Sequence, residues 1–202
     1  MALDGVMIAA KREAMMRLRT FAVVVVAMAA GLAASRAEIV RTAISDCKTN
    51  QICFYWWPKL PELTGWHSDD AVNYSHGGNG MNALIPDGRT FGDAPAIIYA
   101  MATYKERYDW ENKTKSTLDS FISDDKATFK DAEVAEVAPL KTADGQTLRV
   151  FTYFRAKDKT WECVAYGIED DDYLTFVLSA NSEDAYKQNL PVFQDLISRY
   201  RR

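Results

Sequence analysis

The chain has 202 residues, of which 48% are hydrophobic and 26% are charged, and its formal net charge is −4. With an N-terminal leader set aside, this length suits one domain whose core needs no disulfide support. The acidic balance, without a basic stripe, argues against nucleic acid as a partner and against adhesion to anionic lipid, because both need clustered lysine and arginine.

The N-terminal region predicts export. Two arginines precede an unbroken apolar run at 21–34, and the S-R-A at 35–37 supplies the small residues that a signal peptidase reads. This is the three-part pattern of a secretory signal peptide, and the run is shorter than the roughly 20 residues of a spanning helix. We therefore expect residues 16–37 to be removed, and residues 1–15 to reflect a mis-assigned translation start. The mature protein, 38–202, is expected to be one periplasmic or secreted domain without a membrane span.

Three cysteines bear on the expected redox state. Export permits disulfides, and the short spacing of Cys47 and Cys53 favours a bridge between them, with free buried thiols as the alternative. Cys163 lies in the strand-like run W-E-C-V-A-Y-G and is expected to be a free, small hydrophobic residue of the core.

The first half of the mature chain predicts three strands and one long loop. Residues 52–57, which are aromatic and β-favouring, form a strand ended by Pro58, and residues 81–86 form a second strand closed by a P-D-G turn. Residues 95–104 are predicted as the third strand, with a helix as the competing interpretation. The intervening 58–80 segment is rich in Pro, Gly, Asn, Asp and Ser, and long ordered loops are often functional.

Two helices are expected. The first spans about 117–130, with apolar residues on one face and Ser116 as its N-cap. The second follows Ser182 and carries an apolar stripe from Tyr186 to Tyr200. Because proline removes a backbone donor and clashes with the preceding turn, Pro191 predicts a kink or a restart.

Between these helices the hydrophobic period switches to two. Four strands are predicted at 133–142, 147–155, 160–168 and 173–180, joined by short polar turns. Connections this short permit only an antiparallel meander. The last three strands carry apolar residues on both faces, so both faces of the sheet need cover.

The order and rhythm of these elements carry a family resemblance. The segments that show it are GWHSDD at 65–70, MNALIPDG at 81–88, and YLTFVLSANSEDAYKQNLPVFQDLISRY at 173–200. Over residues 52–200 the chain resembles the small exported proteins of the PsbP/Mog1-like fold. The resemblance implies an α+β protein, with an antiparallel sheet covered by helices in an α/β/α sandwich. Proteins of that fold mostly serve as binding or assembly modules, such as the extrinsic photosystem subunit and small periplasmic lipoproteins, and no shared catalytic set carries over.

The 58–80 loop contains both histidines of the chain. His67 and His76, with Asp69 and Asp70, offer imidazole and carboxylate groups that could hold a divalent metal such as Zn²⁺ or act as a general acid–base pair. Their spacing matches no established metal signature, so solvated loop histidines are the favoured interpretation and no cofactor is expected.

The run F-Y-W-W offers a different candidate surface. Trp56 and Trp57 are neighbours on a strand and point to opposite faces, so one of them is exposed unless both faces are covered. With Trp66, His67 and His76 they form the candidate binding residues. The sequence therefore favours a non-catalytic binding or accessory module of the bacterial envelope, with a protein partner or a small ligand. The alternatives are a small hydrolase or metal-dependent enzyme using the 58–80 loop, and a structural subunit of an envelope complex.

Overall fold

A seven-stranded antiparallel sheet forms the centre of the molecule. The structure, a computed structural model, describes residues 39–44, 53–69 and 81–201, and for 39–44 and 53–57 it describes the backbone alone. The strands of the large sheet follow the order β3-β4-β5-β9-β8-β7-β6. They are β3 (Trp66–Ser68), β4 (Met81–Pro86), β5 (Ala96–Tyr104), β6 (Ala132–Lys141), β7 (Thr147–Arg155), β8 (Thr160–Glu169) and β9 (Asp172–Ala180).

The other described elements are a two-stranded sheet and three helices. The antiparallel strands β1 (Ile39–Ile44) and β2 (Cys53–Pro58) form the small sheet, and β2 lies against β4 and β5. The helices are α1 (Lys105–Asn112), α2 (Leu118–Thr128) and α3 (Glu183–Arg199). All of these elements belong to one compact unit of the chain. Among the described residues, no helix is both long and apolar enough to cross a membrane.

The predicted meander is confirmed. Strands β6 to β9 are neighbours in chain order, and β5 then pairs with β9 from Ala96↔Ala180 to Tyr104↔Asp172. The D-G turn before β7 places Gly145 at φ 87°, a backbone conformation that glycine adopts without steric cost. Residues 96–104 form a strand, and the alternation of buried and partly buried side chains along them excludes the competing helix.

Helices cover both faces of the sheet, as the two-sided apolar pattern predicted. We name the faces after the helices that cover them. On the α3 face, α3 packs on a core that includes Leu148, Val150, Ala165, Leu174 and Phe176. On the α2 face, Phe121 and Ile122 of α2 pack on Phe151, Val164, Tyr166, Tyr173 and Val177. The fold is therefore α+β with an antiparallel sheet.

The last helix corrects one expectation. Helix α3 continues through Pro191 without the predicted restart. Its buried face, which includes Phe193, Leu196 and Ile197, is fully withdrawn from water. Burial of each such side chain stabilises by about 1.5–3 kcal/mol, which together exceeds the roughly 3 kcal/mol cost of an interior proline.

Three further details differ from the sequence-based expectations. The N-cap of α2 is Thr117 and not Ser116: Thr117 and Ser120 form a reciprocal capping box. The hydroxyl of Ser116 instead lies 2.7 Å from that of the buried Tyr173. Helix α1 was not predicted, because it is short and has no apolar periodicity, with Trp110 left 78% exposed. Strand β3 lies within the segment predicted to be loop.

Candidate functional site

A cavity of about 400 Å³ opens on the α3 face at one corner of the sheet, where β6 begins, β7 ends and β8 begins. It is lined by Glu133, Val134, Ala135, Thr152, Tyr153, Phe154, Trp161, Glu162 and Tyr186. Helix α3 begins beside this corner and leads away from it. Tyr200, the C-cap of the helix, donates its hydroxyl to Glu169 and accepts a hydrogen bond from the Ala143 N–H, both at the opposite ends of these strands. We call this space the aromatic cavity.

The strand register brings the aromatic side chains together. Phe154 pairs with Trp161 across β7 and β8, and Glu133 pairs with Phe154 across β6 and β7. Paired residues share a face of the sheet, and alternation with the core residue Val150 assigns these three side chains to the α3 face. The rings of Phe154 and Trp161 stack with centroids 4.1 Å apart and planes inclined by 28°.

Tyr186, in the first turns of α3, extends this aromatic wall. Its ring centroid lies 6.2 Å from that of Trp161, and its ring packs against the α3-face core. Burial raises the pKa of the Tyr186 hydroxyl well above its usual range, and the neighbouring Cys163 thiol adds to the effect. Burial likewise raises the pKa of Cys163 to about 11, so the thiol is protonated. Cys163 is free and buried, as predicted.

The charged residues around the cavity are acidic. Glu133 is exposed at the rim, whereas the Glu162 side chain belongs to the α2 face by strand alternation. There Glu162 accepts a hydrogen bond from Ser179 at 3.1 Å and lies 3.5 Å from the Arg155 guanidinium. Burial raises the pKa of Glu162, and Arg155 opposes that rise. Arg155 also lies over the ring of Phe129, which places its charge on the α2 face.

A polar cluster lies on the α2 face behind the cavity. The hydroxyls of Tyr153 and Tyr166 are 2.9 Å apart, and Tyr166 donates to a carboxylate oxygen of Asp125 on α2. Burial raises the pKa of Asp125, and the Tyr166 hydrogen bond opposes that rise. Burial raises the pKa of Tyr153 to about 12, so its hydroxyl stays protonated. Because α2 covers these groups, the cluster stabilises the packing of helix on sheet and is not an open site.

The candidate residues of the 58–80 loop that the structure describes lie at the opposite edge of the sheet. Trp66 in β3 is partly buried against the α3-face core. The neighbouring His67 is exposed, with Nδ1 3.5 Å from a carboxylate oxygen of Asp87. Asp69 donates its backbone N–H to the Ala83 carbonyl. These residues do not reach the aromatic cavity, because the three strands β4, β5 and β9 lie between β3 and β8.

The remaining candidates stay predictions. Asp70, His76 and Cys47 lie outside the described residues, and only the backbone of β2, which contains Cys53, Trp56 and Trp57, is described up to residue 57. Within residues 39–44, 53–69 and 81–201, no three His, Cys, Asp or Glu side chains are grouped to hold a metal ion.

Analysis of the sequence missed the aromatic cavity, although the signal was present. The predicted strands 147–155 and 160–168 are joined by a four-residue turn, which makes Phe154 and Trp161 cross-strand partners. Tyr186 is the first member of the apolar stripe in the last helix. The sequence did not show that α3 leaves this corner uncovered, because that depends on where the helix crosses the sheet.

Comparison with known proteins does not assign the chain to a family. No protein-family model matches it, and a search of curated proteins finds no significant match. The functional argument therefore depends on the geometry of the site.

Proposed function

We propose that the protein is an exported, non-catalytic binding module of the bacterial envelope whose ligand occupies the aromatic cavity. The observation that carries the proposal is the stacked pair of Phe154 and Trp161 beside a space of about 400 Å³. Sites for small ligands typically measure roughly 300–1,000 Å³ and have aromatic walls with few polar groups. Large rings left partly exposed gain free energy when a ligand covers them, at about 25 cal/mol per Å² of apolar surface.

We further propose that the fold is PsbP/Mog1-like. Its support is the order of the elements and the presence of helices on both faces of an antiparallel sheet. Proteins of that fold mostly act as binding or assembly modules, which agrees with a binding role. Because one fold hosts many functions, the cavity and not the fold carries the functional argument.

The cavity favours ligand binding over the two alternatives. An enzyme using the 58–80 loop would depend on His67, Asp69, Asp70 and His76. The first two lie at the edge of the sheet away from the cavity, and the other two lie outside the described residues. A structural subunit would cover such a corner with a neighbouring subunit, whereas a recessed space of about 400 Å³ suits a small group. The walls of the cavity offer rings, a methyl group, the Thr152 hydroxyl and a rim carboxylate, a set suited to holding a small molecule.

Two-dimensional NMR of the labelled mature protein tests this function. A library of small alcohols, amines, acids and aromatic compounds should contain binders that shift the indole N–H signal of Trp161 and the amide signal of Phe154. Trp161→Ala removes the indole signal itself, so the test in that variant is the amide signal of Phe154, which the same compounds should no longer shift. Trp110→Ala is the matched control, because it removes an exposed tryptophan from α1 and should leave binding unchanged.

Two results would contradict the proposal. One is a library without a single compound that binds at these signals. The other is a folded Trp161→Ala variant that retains every ligand, above all if His67→Ala then abolishes binding or turnover. Thermal denaturation of each variant establishes that it is folded.

A further inference from the structure

The electrostatic character of the aromatic cavity indicates which ligands it suits. Its wall consists of the stacked rings of Phe154 and Trp161, with Tyr186 beyond them at 6.2 Å from Trp161. The face of an aromatic ring carries the negative part of its quadrupole, and tryptophan attracts cations most strongly. The wall therefore favours a positively charged group over a neutral group of equal size.

The charges at the rim agree with this preference. No lysine or arginine is among the residues that line the cavity, whereas Glu133 contributes a carboxylate at its edge. Glu133 forms no ion pair with any described residue. Glu136, three residues further along β6 and on the opposite face, is by contrast bound by Arg149 at 3.0 Å. The Glu133 charge is therefore available to a ligand.

The basic residue that follows Phe154 in the chain does not cancel that charge. Arg155 follows Phe154 in β7, so its side chain lies on the α2 face. Its guanidinium lies 3.5 Å from Glu162 and 4.0 Å from Asp158, and these two acids balance it. Of the two charged residues that line the cavity, Glu162 is paired with Arg155, and Glu133 is the one whose charge has no basic partner among the described residues.

We propose that the aromatic cavity binds an organic cation, either a small quaternary ammonium or amine or the charged side chain of a lysine in a partner protein. The cationic head lies against the Trp161 ring and its charge is balanced by Glu133. This proposal rests on the proposed binding function and names the chemical class of its ligand. Aromatic rings together with a carboxylate recognise both the apolar surface and the charge of such a head group.

Pairs of probes that differ only in charge test the proposal. Choline is compared with its neutral analogue 3,3-dimethylbutan-1-ol, and N-acetyl-lysine methylamide with N-acetyl-norleucine methylamide. Titration calorimetry and tryptophan fluorescence of the mature protein give the affinities. At least one cation should bind about tenfold more tightly than its neutral partner, as expected for a partly desolvated cation–π contact. The better of the two cations distinguishes a free ligand from a protein side chain.

Matched variants locate the effect. Trp161→Ala should abolish the preference for the cation. Glu133→Gln should lower the affinity for the cation and leave the affinity for the neutral analogue unchanged. The control Glu136→Gln removes a carboxylate from the same strand on the opposite face and should leave both affinities unchanged. Trp110→Ala should also leave them unchanged.

The outcomes separate the two proposals. Equal affinity for the cation and its neutral partner, or no binding of either cation, overturns the cation proposal. In that case the NMR library decides the binding function independently, because compounds of other classes still shift Trp161 if the cavity binds ligands. Cation binding that survives Trp161→Ala in a folded variant places the site elsewhere and also overturns the proposal.

Discussion

Replacement of Tyr166 by phenylalanine tests the polar cluster on the α2 face, between helix α2 and the sheet. Tyr166 is fully buried, its hydroxyl donates to the Asp125 carboxylate, and the Tyr153 hydroxyl lies 2.9 Å away. Burial and the Asp125 charge hold the pKa of Tyr166 well above its usual range, so the hydroxyl is a constant donor. Phenylalanine keeps the ring and removes only the hydrogen bonds.

The expected loss follows from the charge of the acceptor. A hydrogen bond to a charged group contributes about 1.5–3 kcal/mol, and water replaces the lost donor only in part at the partly buried Asp125 carboxylate. We therefore expect Tyr166→Phe to lower the free energy of unfolding by about 1.5–3 kcal/mol at pH 7. Urea denaturation followed by circular dichroism measures this as a lower midpoint at an unchanged slope.

The pH dependence provides a second measurement. The Tyr166 hydrogen bond lowers the pKa of Asp125 against the effect of burial. Removing the bond raises that pKa further, so the folded variant gains affinity for a proton. The destabilisation should then be largest at pH 7 and should shrink as pH falls toward 3.8, the ordinary value for an aspartate.

The matched control is Tyr104→Phe, which removes an exposed hydroxyl that donates to Glu106 at 2.8 Å. Since water replaces that bond, the midpoint should hardly move. Equal effects of the two substitutions, or a Tyr166→Phe effect independent of pH, would refute the reasoning that burial gives the cluster its strength.

Four further predictions follow from the packing, the titrating groups and the leader. Phe193→Ala, in the fully buried face of α3, should destabilise by about 3–5 kcal/mol in chemical denaturation, because it leaves a cavity in the core. Gly167→Ala should lower the melting temperature, since the new Cβ would lie 2.4 Å from Leu148 in the core. Burial raises the pKa of Glu162 above 4.5, so the folded protein binds this proton more tightly than the unfolded chain does. The resulting stabilisation is complete below pH 4.5 and is lost as the pH rises through the raised pKa, and Glu162→Gln should flatten this part of the dependence of stability on pH. N-terminal sequencing of the protein from the envelope fraction of its host should begin at Glu38, and a species that retains the leader would exclude the predicted processing.

The sequence predicted the elements whose signals are local. Alternation over 147–180 and the D-G turn determine the meander, because strand period and turn chemistry act over a few residues. The continuity of α3 through Pro191 was missed, because the energy that holds the helix together comes from burial against the sheet. Helix α1 was missed because its eight residues carry no apolar stripe at helical spacing, which is the signal used to predict a helix.

The site was harder to predict than the fold because it depends on a long-range arrangement. The aromatic residues predicted as a binding surface were Trp56 and Trp57, which are adjacent in the sequence. The rings that form the cavity are Phe154, Trp161 and Tyr186, which are separated along the chain and meet only through strand register and helix placement. A search for cross-strand aromatic pairs in the predicted meander would have found the first two.

The position of the cavity follows from the number of helices on each face. A helix of 17 residues is about 25 Å long, and seven strands spaced by about 4.8 Å form a sheet about 29 Å wide. One helix packed on such a sheet cannot cover every corner, whereas the opposite face is covered by residues from both α1 and α2. An uncovered corner without a role would be expected to carry polar side chains. This corner carries a stacked phenylalanine and tryptophan, which is the physical reason to regard it as a binding surface and not as a gap in the packing.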